Sequence, residues 1–399
     1  MTTAPIRVAF FEPYPMGLGG NFVTQKLFLE LLDPITFHPI VIAPRDGAAL
    51  DHFRSMGVEC VVLPASGALQ HYGGLLRRGL MVMARAALDL FKYNRELVHL
   101  IRDKKIDIIY ANCVRAQSCI GLACWWTGIP SLLYVKSSLS HPLVDRPCLI
   151  SASRVLFFCA ANRDDQYPLL TRLLRRKIAI LPIGMDPREI ETVERKDLSA
   201  LRLELSIDPE CFNVAVLAQL FRPKGQDIAI EALARLCGEF PHIRLYLVGD
   251  HVIDEYRSYR AELESLAARH NLSSRIIFTG WRRDSLEIAS LMDAILHPSL
   301  AEGFGLAVLE GMALGKPVIA SAVGGLREAI QDGRNGFLVP PSDVGALTSK
   351  WRQVLMDEKL RNEIGIEARR TVFTKYLIDD KVIRFAKILT GMVAERKAS

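Results

Sequence analysis

The sequence predicts an α/β protein made of two Rossmann-like domains, each built on a doubly wound parallel sheet. Three observations support this prediction. Short β-rich runs alternate with helical or amphipathic segments along nearly the whole chain, which is the order that parallel sheets produce. The chain has 399 residues, which is more than one ordinary core accommodates. The alternation pauses in the polar stretch 184–212 and then restarts, as expected at a boundary between two domains.

Twelve runs have the composition of buried strands. In the first half they are residues 6–11, 38–43, 58–63, 106–110, 131–135, 155–159 and 178–181. In the second half they are residues 213–217, 244–248, 275–279, 294–297 and 317–320. We therefore expect an N-terminal domain over 1–187 and a C-terminal domain over 188–375. Ligand-binding residues should directly follow strands, at the carboxyl edges of the two sheets.

The composition is that of a folded enzyme. Half of the residues are hydrophobic and 24% are charged, which argues against a disordered chain. The 50 Lys+Arg exceed the 44 Asp+Glu, so the net charge of +6 favours anionic partners such as nucleotides, phosphates or acidic membrane surfaces. The eight scattered cysteines include no Cys-x-x-Cys pair and no spacing typical of a metal site. This pattern indicates a reducing compartment with mostly buried thiols.

No segment has the pattern of a signal peptide or a membrane span. The first residues, MTTAPIRVAFF, lack a charged n-region followed by an apolar h-region. The uncharged run 116–135 approaches the length of a span, but TGIPS at 127–131 interrupts it as a turn between a helix and a strand. We expect a cytoplasmic protein, either soluble or peripheral on the inner face of the cytoplasmic membrane.

A glycine-rich loop follows the first predicted strand. Gly17, Gly19 and Gly20 depart from the dinucleotide fingerprint, because Phe22 occupies the third glycine position and no acidic residue follows the second strand. The pattern therefore argues against binding of NAD at this loop. The amides of a helix that begins near Asn21 could instead approach a phosphate, although a plain tight turn fits the same residues.

The segment AQLFRPKGQD opens the second half and places Arg222 and Lys224 in a turn before a helix. Cations at this position could neutralise a leaving diphosphate. No Asp-x-Asp occurs anywhere in the sequence, so we expect side chains and helix N-termini to balance that charge without a metal. A solvated basic turn is the alternative.

The stretch AEGFGLAVLE, residues 301–310, places Glu302 and Glu310 on either side of a predicted helix start. Free amides at Phe304, Gly305 and Leu306 would form an anion site. Carboxylates accept hydrogen bonds from vicinal hydroxyls, so this arrangement indicates a nucleotide sugar, with ribose at one end, hexose at the other and diphosphate between. A hydrolase carboxylate pair and acids that complement the helix dipole are the alternatives.

One segment resembles the signature of glycosyltransferase family 4, whose members are retaining enzymes with the GT-B fold. The segment is HPSLAEGFGLAVLEGMALGKPVIASAVGGLREAIQDGRNGFLVPPSD. The hallmark of that signature is two glutamates separated by seven residues, here Glu302 and Glu310. The resemblance implies that a C-terminal helix over 376–399 packs back on the N-terminal domain.

The resemblance also implies roles for individual residues. Glu302 would hold hydroxyls of the donor sugar, Glu310 the ribose and Lys224 the diphosphate. The other donor-side residues that it implies are Gly19, Gly20, Gly280, Trp281, Gly303, Phe304, Gly305 and Leu306. Gly324, Gly325 and Glu328 resemble the double glycine and following glutamate of the family.

Two positions depart from the family pattern. Gln219 occupies the donor-side position where the family usually has an arginine, so Arg222 would have to supply that charge. Lys136 occupies the position after the fifth strand where a histidine is often found, and it is a third catalytic candidate beside Lys224 and Glu302. Asn112 and His141 are candidate contacts to the acceptor.

The resemblance implies a retaining transferase that moves a sugar from a UDP-sugar, more than from a GDP-sugar, to a glycan or lipid-linked acceptor of the cell surface. No metal, no other cofactor and no nucleic-acid partner are expected. The basic stretches 72–100 and 169–177 suit an anionic membrane surface, or simply a solvated helix face. A nucleotide-sugar epimerase, a transferase for a small natural product and a non-catalytic member of the family are alternatives.

Overall fold

The computed structural model describes residues 4–17, 19–66, 80–136, 139, 141–251 and 257–398, without the side chains of Leu80, Met83 and Arg257. The chain divides into two compact units. Unit 1 contains residues 1–183 together with residues 378–399, and unit 2 contains residues 184–377. Each unit is an α/β fold with one parallel sheet.

The sheet of unit 1 has seven strands in the order β3-β2-β1-β4-β5-β6-β7. They are β1 Ile6–Phe11, β2 Phe37–Ala43, β3 Glu59–Val62, β4 Ile108–Ala111, β5 Ser131–Val135, β6 Arg154–Phe157 and β7 Ile178–Ile180. Every pairing between these strands is parallel. The strand order reverses between β1 and β4, and open sheets of this kind bind ligands at such a point.

In the described part of unit 1, seven α-helices lie between these strands. They are α1 Gly20–Leu31, α2 Ala48–Ser55, α3 Leu80–Asp103, α4 Val114–Thr127, α5 Pro142–Ser151, α6 Ala160–Asp164 and α7 Pro168–Leu173. Helices α3, α4 and α5 cover one face of the sheet, where Leu97, Ile120 and Leu149 are fully buried in a shared core. The uncharged run 116–135 forms most of α4 and all of β5, and Gly128 ends α4 in the left-handed conformation.

The sheet of unit 2 has six strands in the order β10-β9-β8-β11-β12-β13, and all of them are parallel. The strands are β8 Phe212–Leu217, β9 Ile243–Val248, β10 Ile276–Gly280, β11 Ala294–His297, β12 Val318–Ser321 and β13 Phe337–Val339. The sequence did not predict β13, because three residues are too few to show a strand pattern. The prediction of two Rossmann-like parallel sheets is confirmed.

The helices of unit 2 are α8 Pro187–Arg195, α9 Ser199–Glu204, α10 Gln226–Leu236, α11 Arg257–Arg269, α12 Ser285–Ser290, α13 Leu306–Ala313, α14 Leu326–Ala329, α15 Val344–Met356 and α16 Glu358–Lys375. The following helix, α17 Ile378–Ala398, belongs to unit 1. Its Phe385 is fully buried and stacks on Phe28 of α1, with ring centres 4.1 Å apart. Among the described helices, none is both long and apolar enough to span a bilayer.

Candidate functional site

Two charged side chains meet at the carboxyl edge of the unit 2 sheet. Lys224 follows β8 in a 3₁₀ turn, Arg222–Lys224, and Glu302 follows β11. The Lys224 ammonium donates a hydrogen bond of 2.7 Å to Glu302 Oε2. The two side chains retain 24% and 14% of their exposure, so a ligand could still reach both. The structure therefore brings together two residues that the sequence analysis selected separately.

His297, the last residue of β11, adds a third member to this pair. Its buried Nε2 lies 2.9 Å from Glu302 Oε2 and 3.1 Å from Ser299 Oγ. Burial opposes ionisation of Glu302, but the hydrogen bonds and charges of His297 and Lys224 outweigh it and hold the pKa of this carboxyl well below its usual range. Glu302 is thus a carboxylate at neutral pH. The sequence analysis missed His297, although the residue opens the family-like segment at a strand end.

The backbone explains how Lys224 reaches Glu302. Gly225 immediately precedes α10 at φ +69°, and a Cβ there would lie 2.2 Å from the carbonyl oxygen of Pro298. The Leu300 amide also donates to the Pro223 carbonyl at 2.7 Å. The loops after β8 and β11 are therefore joined so closely that only glycine fits at residue 225.

A pair of glycines holds the backbone around Glu302. Gly324 has φ +48°, and a Cβ at this residue would lie 2.0 Å from the Glu302 carbonyl oxygen. The Gly325 amide donates to the Gly303 carbonyl at 2.9 Å. Gly324 and Gly325, which the sequence analysis noted as a family-like double glycine, thus pack against the segment that carries Glu302.

Helix α13 begins immediately after this segment. Gly305 precedes it at φ +78°, and the amide of Leu306 at its first position has no acceptor within the helix. Phe304 is buried and packs edge-on against Tyr376, with ring centres 5.4 Å apart. The loop from Gly303 to Leu306 thus presents the start of a helix beside the Glu302 carboxylate, which suits a ligand that carries both an anion and hydroxyls.

Glu310 lies further along α13 and differs from Glu302 in its charge state. Burial, together with the negative charge of Glu189, raises the pKa of the Glu310 carboxyl to about 7. The carboxyl is therefore balanced between its neutral and ionised forms near physiological pH. Hydrogen bonds donated by a bound diol would favour the ionised form.

Gln219, the donor-side departure from the family pattern, and Arg222, which was expected to compensate for it, both have partners outside the Lys224–Glu302 pair. The Arg222 guanidinium pairs with Glu262 of α11 and lies 5.2 Å from the ring centre of Tyr259. The side chain of Gln219 is exposed, and its backbone carbonyl accepts a hydrogen bond of 2.8 Å from Gln226. The expectation that Arg222 supplies a missing charge to the site therefore lacks a supporting contact.

Gly280 and Trp281 lie at the end of β10. Gly280 has φ +71°, and its carbonyl accepts a hydrogen bond of 3.0 Å from Gly249. Trp281 is 55% exposed, and the Arg283 guanidinium lies 5.8 Å from its ring centre. An exposed indole at a strand end is suited to stacking on a planar group.

Unit 1 carries a second polar cluster, again at strand carboxyl ends. Glu12 follows β1, Asn112 follows β4, and both are buried. Asn112 Nδ2 donates to Glu12 Oε2 at 2.9 Å and to Gln25 Oε1 of α1 at 2.8 Å. Asn112 was a predicted acceptor contact, whereas Glu12 and Gln25 were missed. The position of Glu12 immediately after the first strand was the signal that could have found it.

Lys136, which follows β5, is 7% exposed and donates to the Asn21 carbonyl at 3.3 Å. Burial lowers the pKa of the Lys136 ammonium to about 8, against the opposing charges of Cys113 and Glu12. Burial likewise raises the pKa of Glu12. Burial thus disfavours the charged form of both side chains.

The remaining predicted residues of unit 1 lie at helix starts. Gly19 and Gly20 are exposed where α1 begins, and a Cβ on Gly20 would meet nothing within 4 Å. His141 precedes α5, and its amide donates to Asp145 Oδ2 at 2.8 Å, as expected of a helix start. Within the described residues, no group of three or more His, Cys, Asp or Glu could hold a metal ion.

The fold defines a structural class. Two Rossmann-like units, each built on one parallel sheet, are the arrangement of the GT-B fold. Comparison with solved structures supports the fold. The structure of Anabaena Alr3699/HepE in complex with UDP and glucose superposes with a TM-score of 0.79 at 22% identity, covering 96% of this chain and 99% of that one.

Residues 201–371 match the family model of the glycosyl transferases group 1. The chain is 32% identical over 189 residues to the putative glycosyltransferase EpsD of Bacillus subtilis, covering 47% of this chain and 48% of EpsD. It is 28% identical over 277 residues to the uncharacterized glycosyltransferase MJ1178 of Methanocaldococcus jannaschii, covering 67% and 70%. The chain thus spans about half the length of EpsD and of several other curated relatives. Its segment 201–371 is thus similar to the glycosyl transferases group 1, in agreement with the resemblance found in the sequence.

Proposed function

We propose that the protein is a glycosyltransferase that takes a sugar from a nucleotide diphosphate sugar. The observation that carries this proposal is the Lys224–Glu302–His297 network beside the start of α13, inside the segment that matches the family. A UDP-sugar is the proposed donor, more than a GDP-sugar. HepE, which shares the fold, was solved with UDP and glucose, and this supports the choice of base.

Each charged group of unit 2 has a proposed task in donor binding. The Lys224 ammonium would contact the diphosphate, together with the amide of Leu306. The Glu302 carboxylate, kept ionised by His297, would accept hydrogen bonds from hydroxyls of the sugar. Glu310 would accept hydrogen bonds from the ribose, and Trp281 would stack on the base.

The proposed reaction retains the configuration at the anomeric carbon. The bond from that carbon to the diphosphate oxygen breaks, and a bond to the acceptor oxygen forms on the same face of the sugar. The departing oxygen takes the proton of the acceptor hydroxyl, so no enzymic nucleophile is needed. Lys224 and the start of α13 would stabilise the negative charge that develops on the diphosphate, and no metal is included in this scheme.

The proposed acceptor is a hydroxyl of a glycan or of a lipid-linked glycan used for cell-surface polysaccharide. The Glu12–Asn112–Lys136 cluster of unit 1 is the proposed acceptor side, because buried polar groups at strand ends can orient a hydroxyl. The proposal places the protein in the cytoplasm, at the inner face of the membrane where such acceptors are made.

Thermal unfolding in the presence of UDP, GDP, ADP, TDP and their common sugars tests the donor proposal. UDP and a UDP-sugar should raise the unfolding temperature in a concentration-dependent way, because they bind only the folded state, and EDTA should not abolish the effect. No shift with any nucleotide would contradict the proposal.

Product analysis tests the chemistry. Transfer to an oligosaccharide acceptor, with NMR of the new linkage, should show the anomeric configuration of the donor. An inverted linkage would contradict retention. Conversion of UDP-N-acetylglucosamine without any acceptor would instead identify an epimerase.

A further inference from the structure

Helices α3 and α4 of unit 1 expose an unusual set of large apolar side chains on the surface that faces away from the sheet. On α3, Leu88 and Phe91 are 63% and 53% exposed, and on α4, Trp125 and Trp126 are 77% and 37% exposed. Phe91 and Trp126 touch edge to face, with ring centres 5.2 Å apart, so the two exposed surfaces are continuous. Leu88, Phe91, Trp125 and Trp126 are called the aromatic face below.

The core of unit 1 does not need these side chains. Tyr93 and Leu97 of α3 and Ile120 of α4 already fill the space between the helices and the sheet. Large contiguous apolar surfaces on soluble proteins usually mark interaction sites, whereas single exposed apolar side chains are common and carry no such meaning. Tryptophan is also the side chain that is enriched at membrane–water interfaces, because its ring is apolar and its N–H seeks a polar partner.

Cations share the exposed stripe of α3 with Leu88. Arg85 and Lys92 lie three and four residues from Leu88, and Arg95 lies seven residues away, so all three point to the same side of the helix. None of them forms an ion pair with a carboxylate in the described part of the chain. The acidic residues Asp89 and Glu96 lie about a quarter turn from Leu88, and each stands four residues after a cation of the stripe, Arg85 and Lys92 respectively.

We propose that the aromatic face and its three cations dock unit 1 on an anionic lipid bilayer. The apolar side chains would enter the boundary between headgroups and acyl chains, while Arg85, Lys92 and Arg95 pair with anionic headgroups. A second copy of the chain suits this face less well, because a two-fold interface would bring the same cations of both copies together. This inference identifies the surface that would hold the protein at the membrane. Only the reason for docking, access to a lipid-linked acceptor, rests on the proposed function.

Co-sedimentation of the full chain with vesicles tests the surface. Vesicles of phosphatidylcholine that contain about 30% phosphatidylglycerol should bind the protein, and pure phosphatidylcholine should bind it weakly. The double variant Phe91→Ser/Trp125→Ser should reduce binding about tenfold or more, since it removes two of the side chains that enter the bilayer. The variant Arg85→Gln/Arg95→Gln should abolish the preference for the anionic lipid.

Ile366→Ser is the matched control. Ile366 is 67% exposed on α16 of unit 2, so its loss removes exposed apolar surface outside the aromatic face and should leave binding unchanged. Because the substituted apolar side chains are at least half exposed, all variants should unfold at nearly the wild-type temperature. A variant that does not fold is replaced by Trp125→Gln alone.

Tryptophan fluorescence locates the contact directly. The chain has four tryptophans, of which Trp351 is fully buried. In a Trp281→Phe background, brominated lipids should quench the emission of Trp125 and Trp126.

Three results would overturn the inference. The first is that neither vesicle binds the protein, and the second is that the double variant binds as well as wild type. The third is that the protein binds no vesicle but forms a dimer that Trp125→Ser dissociates. These measurements use neither donor nor acceptor. A failure of docking and a failure of sugar transfer are therefore distinguishable.

Discussion

The two units of this protein each place a lysine and a glutamate at the carboxyl edge of a parallel sheet, but the two pairs differ in charge. In unit 2, Lys224 and Glu302 are in direct contact at 2.7 Å, and the pKa of Glu302 lies well below its usual range. In unit 1, burial raises the pKa of Glu12 and lowers that of Lys136 to about 8.

The difference lies in the neighbours of each pair. Glu302 has a histidine and a lysine on the same carboxylate oxygen and is partly open to solvent. Glu12 is bonded to the neutral amide of Asn112 and is almost fully buried. The same residue types thus give a firmly ionised carboxylate in unit 2, and in unit 1 a pair whose charged forms burial disfavours. The first suits a diphosphate, and the second suits a hydroxyl that must be oriented.

The largest expected effect tests the charged site. Lys224→Ala should reduce the turnover of sugar transfer about 100-fold or more, because it removes the cation proposed to stabilise the leaving diphosphate. Lys359→Ala, which removes an 87% exposed lysine of unit 2, is the control and should leave turnover unchanged. Steady-state kinetics measure both, and a Lys224→Ala enzyme within a factor of two of wild type would contradict the assignment.

A smaller effect should follow from His297→Asn. Loss of the imidazole removes one of the two groups that lower the pKa of Glu302, so transfer should fall about tenfold and should fall further as the pH is lowered. Affinity for UDP alone should be nearly unchanged, because Glu302 is proposed to contact the sugar and not the nucleotide. His297→Gln, which can still donate a hydrogen bond, should recover part of the activity. Equal losses in UDP affinity and turnover would indicate a general structural role.

For Lys136 and Glu12 in unit 1 we expect a dependence of activity on pH. Transfer by the wild-type enzyme should decline severalfold as the pH rises through about 8, because Lys136 then loses its proton and its charge. Lys136→Met should be less active and should lack this decline. Glu12→Gln removes a negative charge that favours the ammonium, so its decline should begin at lower pH. A wild-type profile that is flat from pH 7 to 9 would remove the distinction between the two sites.

The smallest effect concerns Glu310. With a pKa of about 7 in the folded protein and a lower value when unfolded, the carboxyl stabilises the fold while it is protonated. That stabilisation is present at low pH and is lost as the pH rises through 7.

Glu310→Gln should therefore raise the free energy of unfolding by about 1–2 kcal/mol at pH 8 and have little effect at pH 4. Chemical denaturation at both pH values measures this difference. UDP should bind the wild type more tightly at pH 8 than at pH 6 and bind the variant with no such dependence. A variant less stable than wild type at pH 8 would contradict the account.

Much of the fold followed from the sequence, because strands buried on both faces of a parallel sheet appear as short continuous apolar runs. Residues 6–11, 131–135 and 294–297 were predicted to the residue. The pairing of Lys224 with Glu302 could be predicted from the sequence only in part. Both residues follow strands, but their contact spans 78 positions of sequence and depends on the Gly225 turn.

Other parts of the site gave no local signal. Gln25 lies on a helix and meets Asn112 across 87 positions, so no spacing rule could have joined them. Arg222 was expected near the diphosphate, and its partner Glu262 lies 40 positions away on α11. Long-range side-chain pairing is decided by packing, which a single sequence does not display.

The position of α17 has a consequence for how the protein is made. Phe385 fills the core of unit 1 against Phe28 and Phe10, yet the ribosome adds it only after every residue of unit 2. The N-terminal half therefore cannot complete its interior while it is being synthesised, and the half that is translated later can finish folding first. Until translation reaches α17, Phe28 and Phe10 lack the ring that covers them in the folded protein.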